Sequence, residues 1–286
     1  MEAAIGLKNV TKRYEKFMLD HITMDIPKGS IVGLVGENGA GKTTLLKAIL
    51  QMTSIQEGEI TIDGSRMEDL SPQWKDQVGV ILPGVEFASR MNARQFGNCM
   101  RGLYKSWQDD VFEKYLDDFQ IDRSKTIKEY SKGMKMKLDL AVSLSHQAKL
   151  LIFDEATSGL DPVVRDDILD ILLEFIQDEE HTALISSHII SDLEKVADYI
   201  AFLHQGKLRF YMNKDELLYH FGVIRCTPEE RQKIPDHYIQ GCRRNQFGYE
   251  ALIQDRERFQ KEYPGYTVDS TSIEEIILFY VKGEAK

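Results

Sequence analysis

Eight consecutive residues, Gly36-Glu37-Asn38-Gly39-Ala40-Gly41-Lys42-Thr43, have the spacing G-x-x-x-x-G-K-T. Glycines at those intervals let successive backbone N–H groups converge on phosphate oxygens, and a helix N-terminus placed behind them adds a favourable dipole. Lys42 is the cation for β and γ phosphates, the Thr43 hydroxyl is a magnesium ligand, and Thr44 supplies a further phosphate contact. Farther along, Leu150-Leu151-Ile152-Phe153-Asp154-Glu155 is an apolar run ending in two acids. Such a run is a strand delivering carboxylates to the carboxyl edge of a sheet, where the loop also lies. Asp154 is expected to hold magnesium through water and Glu155 to polarise an attacking water, which makes ATP the expected nucleotide and Mg2+ its metal.

These groups need a scaffold. Short β-branched apolar runs at residues 30–35, 78–82, 150–153, 182–186 and 199–204 alternate with helical patterns, the rhythm of an α/β fold with a largely parallel sheet covered on both faces. The glycine loop follows the first run and opens a helix through residue 50, as the phosphate-binding context requires. Between residues 84 and 149 the strand signal gives way to aromatic and charged residues at helical spacing, from Phe87 through Trp107, Tyr115 and Phe119, and an inserted helical subdomain is expected. Gln205-Gly206 closes a hairpin, a short helix begins near Asn213, and the pattern changes at Gly222. Residues 1–222 are expected to form one domain and residues 223–286 a small α+β appendage ending in an amphipathic helix over 272–281.

Composition narrows the partners. A net charge of -10, from 46 acidic and 36 basic residues, argues against a general affinity for nucleic acid. Cys99, Cys226 and Cys242 are odd in number and widely spaced, so neither a disulfide framework nor a zinc site is expected, and a reducing cytosol fits. The sequence has neither a signal-peptide core at its start nor a window apolar enough to span a bilayer, so any membrane role is expected to need a separate partner.

With these features in order, the sequence resembles the nucleotide-binding subunits of ATP-binding cassette (ABC) transporters over roughly residues 1 to 220. Tyr14 stands where that family stacks an aromatic on adenine, and Tyr130-Ser131-Lys132-Gly133-Met134 stands at the LSGGQ signature. Asp154-Glu155 is the second Walker motif, Ser158-Gly159-Leu160-Asp161 the D-loop, and Ser187-His188 the switch histidine. Taken singly, Tyr14 is an ordinary strand aromatic, residues 131–134 an ordinary helix start, and His188 a surface or core histidine. Together they imply a P-loop NTPase core of ABC type and a composite site, in which the loop of one subunit and the Ser131, Gly133 and Met134 region of a second close on the same ATP.

The resemblance further implies separately encoded transmembrane subunits, a second ATP-binding subunit that is the same chain or a different one, and a cytoplasmic, peripheral position on the inner face of the cell membrane. The signature, the single cassette and the tail over residues 272–283 resemble bacterial exporter ATPases associated with antimicrobial or amphipathic peptides. A soluble ABC ATPase acting on ribosomes or nucleic acid, and a regulatory ATP-binding protein with little turnover, are the alternatives. Two departures stand out: Lys132 and Met134 alter the signature and add positive charge with Lys135 and Lys137, and Gly84 occupies the place of a glutamine that bridges magnesium and the membrane subunit.

Overall fold

A computed structural model describes residues 2–82, 89–155, 157–246 and 248–283. Gly84, and the expectation of a mobile segment there, lie outside the described residues. The chain divides into two compact units, Met1–Tyr211 and Met212–Lys286.

The first unit contains the strands β1 (Ala3–Arg13), β2 (Met18–Pro27), β3 (Ile31–Val35), β4 (Glu57–Ile62), β5 (Ser65–Arg66), β6 (Val78–Ile81), β7 (Leu150–Asp154), β8 (Thr182–Ser187) and β9 (Tyr199–His204), with β10 (Lys207–Asn213) crossing the division. Its helices are α1 (Lys42–Ile49), α2 (Ala93–Leu103), α3 (Asp109–Asp118), α4 (Lys132–Ser145), α5 (Pro162–Phe175) and α6 (Ile190–Val196). A six-stranded sheet runs in the order β10-β9-β3-β8-β7-β6, and β9, β3, β8, β7 and β6 are parallel. Strands β3, β7 and β8 are buried along their whole length, as expected for strands covered on both faces.

A second, antiparallel sheet of order β2-β1-β4-β5 was not anticipated by the sequence rhythm. Its residues Ile5, Leu7, Leu19, Ile22, Met24 and Ile26 share one core with Val32 and Leu34 of β3 and Leu45, Leu46 and Ile49 of α1. The phosphate-loop helix is thereby held between two sheets. Burying so many aliphatic side chains, at about 1.5–3 kcal/mol each, makes this the main anchor of the loop.

Helices α2, α3 and α4 form the helical insertion around Ala93, Phe96, Phe112, Leu116 and Leu138. Asn92 starts α2 with a capping box that uses Gln95, satisfying donors the helix leaves unpaired. The second unit holds α7 (Lys214–His220), α8 (Pro228–Arg231), α9 (Arg256–Glu262), α10 (Ile273–Lys282) and a sheet of β11 (Phe221–Cys226), β12 (Ile239–Asn245), β13 (Gly248–Gln254) and β14 (Val268–Asp269) in the order β12-β13-β11-β14. Ser272 caps α10, whose buried Ile273, Ile276 and Ile277 follow the 3–4 spacing of an amphipathic helix.

Candidate functional site

Register decides what meets what at the carboxyl edge of the six-stranded sheet. Val35 lies beside Ser187 and Phe202, and Asp154 beside Ser186, so the loop after β3, the acids after β7 and the histidines after β8 and within β9 share one edge. Sheets of this kind bind ligands there.

The loop turns through Gly39 and Gly41, both at positive φ, and Gly41 at φ 112° leads directly into α1. An L side chain is strained in that backbone conformation, and a Cβ at Gly41 would also stand 2.7 Å from the Phe17 ring. Glu37, Asn38 and Gly39 are exposed at the crest, whereas Ala40 and Lys42 are buried beneath it. The Lys42 Nζ donates to the Gly36 carbonyl at 2.6 Å and lies 3.0 Å from Glu155 Oε1. Thr43 Oγ1 donates to Asp154 Oδ2 at 2.6 Å, and Ser186 Oγ donates to Asp154 Oδ1 at 2.5 Å. Both oxygens of this buried carboxylate are thus oriented. Thr44, next on α1, is half-buried.

Glu155 stands at φ 53°, a left-handed conformation that costs a non-glycine residue of the order of 1 kcal/mol or more unless the surroundings fix it. Here its N–H donates to both the carbonyl and the hydroxyl of Ser186, and its carbonyl accepts from the Ser158 N–H. His188 Nδ1 pairs with Glu155 Oε2. Burial alone would raise the Glu155 carboxyl, but hydrogen bonds from His188 and Lys42 outweigh it and hold the group below the usual carboxylate range. The carboxylate is therefore ionised and carries two partners. Ser186 escaped the sequence reading because its role depends on the β7–β8 register.

Tyr14 is half-exposed just past β1, with the Lys12 ammonium 5.2 Å from its ring centroid. Phe17, also missed from the sequence, forms a tilted pair with Tyr14 at 6.5 Å and packs against Gly41, linking the aromatic to the loop. The structure brings Tyr14 and residues 36–44, 154, 155 and 188 to this region.

The signature residues are differently placed. Helix α4 begins at Lys132 because Ser131 is its N-cap: Ser131 Oγ accepts from the Met134 N–H at 3.2 Å. The hydroxyl's own hydrogen remains able to donate. Met134 gives its N–H to that cap and packs its side chain on the helical core, so its geometry is that of a packing residue. Gly133 is buried where a Cβ would stand 2.8 Å from Val164 on α5. Lys132 donates to the Ser158 carbonyl and Lys137 pairs with Asp167 at 2.7 Å. Asp161 caps α5 through the Val164 N–H.

Gln77 precedes β6, whose residue Ile81 lies level with Phe153. It therefore sits at the opposite end of the sheet from Asp154 and is no substitute ligand for the position of Gly84. Among the described residues no group of three or more His, Cys, Asp or Glu side chains could hold a metal. The hard oxygens of Thr43 and Asp154 do fit magnesium, which binds through one or two protein oxygens plus substrate phosphates.

A glycine loop leading into a helix, a lysine beneath it, and an oriented Asp-Glu pair at the neighbouring strand end define a P-loop ATPase. Sequence comparison gives the family: the profile described as ABC transporter matches residues 19–158. The bacitracin transport ATP-binding protein BcrA of Enterococcus faecalis is 33% identical over 222 residues, covering 76% of this chain and 71% of that protein. The lantibiotic transport ATP-binding protein SrtF of Streptococcus pyogenes is 34% identical over 208 residues, covering 71% and 88%. A solved ATP-binding subunit of an ABC transporter superposes with a TM-score of 0.66 at 24% identity over 76% of this chain and 92% of its own. A dimeric ATP-binding cassette in a post-hydrolysis state with ADP and Pi superposes at 0.64 with 20% identity, covering 73% and 98%. The chain belongs to the ABC transporter family, as an ATP-binding subunit with ATPase activity.

Proposed function

We propose that this subunit hydrolyses ATP to drive an exporter, with the cycle run by Lys42, Asp154, Glu155 and His188. The observation that carries the reading is the junction of Lys42, Glu155 and His188. One carboxylate is held between a cation beneath the loop and an imidazole at the next strand end.

The loop N–H groups of residues 36–44 bind the α, β and γ phosphates, and Tyr14 stacks on adenine, a contact worth about 1–3 kcal/mol with little base selectivity. Arriving phosphate competes with the Gly36 carbonyl and Glu155 for Lys42, which frees the Glu155 carboxylate to accept a proton from water. The water oxygen bonds to the γ-phosphorus as its proton passes to Glu155, and the bond to the bridging oxygen breaks, leaving ADP and phosphate. His188 keeps Glu155 aimed at that water. Thr43 and Asp154 hold magnesium, which supplies charge neutralisation on the phosphates when bound.

Ser131 and Gly133 serve the ATP of a second ATP-binding subunit, whether a copy of this chain or a different one, and separately encoded membrane subunits form the path. Among the described residues no helix is long and apolar enough to cross a membrane. Family membership supports a location on the inner face of the cell membrane through those partners. The relatives named for bacitracin and lantibiotic transport support an antimicrobial peptide as cargo.

Ser131→Arg tests the composite site, because it replaces a hydroxyl donor with a long cation while leaving residues 36–44 untouched. ATP affinity is expected to stay within about twofold of the parent and turnover to fall by about a hundredfold, the scale of misplacing a positioning group. Parental turnover in this variant would refute the sandwich.

A further inference from the structure

The hairpin between β9 and β10 forms an outer wall of the phosphate loop. Gly206 N–H donates to the Ala40 carbonyl at 3.0 Å, and a Cβ at Gly36 would collide with the Leu203 carbonyl. The hairpin is tied down in turn, since the Asp20 N–H donates to the Gly206 carbonyl at 2.8 Å. Between these contacts sits His204, buried at 8% exposure and stacked at 6.0 Å on Phe202. Its Nδ1 is sealed from solvent with no hydrogen-bond partner among the described residues, and it stands 3.5 Å from Glu37 Oε2, just beyond a good hydrogen bond. Glu37 is the second residue of the loop. Its carbonyl accepts from the Ala40 N–H at 3.0 Å and lies 3.4 Å from Lys42 Nζ.

We infer that His204 is a positioning residue for the phosphate loop: its Nδ1–H closes onto the Glu37 carboxylate when the loop takes up phosphate, and pins the crest from outside. This rests on the reading of residues 36–44 as the phosphate site. A buried nitrogen left without a partner is unfavourable, and polar contacts that are long before substrate binds commonly tighten in the complex. The need for an external pin follows from Lys42. In the structure Lys42 braces the loop from below through Gly36 and Glu37, and that brace is surrendered when its ammonium turns to phosphate. Glu37 is exposed, so solvent screens the pair and its effect is modest.

The test compares two replacements of His204 on the full chain with Mg-ATP. His204→Phe keeps a ring against Phe202 but has no donor. His204→Asn loses the ring but places an amide N–H where Nδ1 stands. His204→Phe is expected to raise KM for ATP about fivefold with kcat within about twofold, while His204→Asn stays near the parent. Glu37→Ala, at an exposed position that does not risk the fold, is expected to reproduce the His204→Phe value, and the double variant to add nothing further. Equal impairment in the Phe and Asn variants would assign His204 to packing. A parental KM in His204→Phe or Glu37→Ala would remove the pin. Lys42→Ala is the control: if it too keeps parental ATP affinity, the phosphate-site reading fails whatever His204 does.

Discussion

The loop edge and the signature end of α4, the two halves of the proposed composite site, are built on opposite plans. Beneath the loop crest the charged groups already have counterparts: Lys42 with Glu155, Glu155 with His188, and Asp154 between Thr43 and Ser186. At the signature, Ser131 spends its oxygen on its own helix and keeps a hydroxyl hydrogen, and Lys132 is tied to the D-loop at Ser158. A phosphate arriving at the first region must displace partners, whereas at the second it finds a donor in waiting. On the proposed function, the first is a switch whose parts are exchanged on binding and the second a static contact supplied to another subunit.

The contrast breaks most visibly at Lys42. Lys42→Ala removes the cation from beneath the loop and leaves Glu155 with His188 alone. ATP affinity is expected to fall by about a hundredfold, the scale of removing a charge-assisted hydrogen bond from a buried site. Titration calorimetry giving the parental affinity would mean that the phosphates are held without it.

The smallest effect is on stability, and it sharpens the same contrast from the other side. Asp139 on α4 is the counterexample to the paired charges of the loop edge. Burial pushes its carboxyl up to about 7, opposed only in part by Lys135. A raised acid binds its proton more tightly folded than unfolded. Its favourable contribution is therefore complete below about pH 4 and is lost as pH rises through about 7. Asp139→Asn is expected to gain stability relative to the parent across that window, by on the order of 2–4 kcal/mol at pH 8, and to show no gain at pH 4. A pH-independent difference between the two unfolding curves would place the carboxylate in contact with solvent.

Much of this site was legible because its signals are local. The glycine spacing of residues 36–43, the apolar run before Asp154 and the strand end before His188 each lie within a few residues, and the parallel register then gathers them without further specification. The antiparallel sheet was not legible, because β1 and β2 break the alternation that announces a strand. Asn9 and His21 both stand at φ 52°, and the β1–β2 register shifts near them, so buried Leu19, Ile22, Met24 and Ile26 are spaced by three and then two. Ser186 and His204 were missed for another reason. Their partners Asp154 and Glu37 are distant in sequence, and only the strand order brings them together. The division at Tyr211–Met212 precedes the pattern change at Gly222 because α7 packs with β11 and α9 of the second unit.

The central claim is that Glu155, held between Lys42 and His188, takes the proton from water. The most direct measurement is ATP binding and single-turnover hydrolysis by Glu155→Gln on the same sample. The amide keeps the side chain's shape and loses the proton acceptor. The account predicts ATP affinity within about threefold of the parent and hydrolysis slowed at least about a hundredfold, the scale of losing a general base. Hydrolysis near the parental rate would contradict it and move the base elsewhere, with His188 the first group to examine.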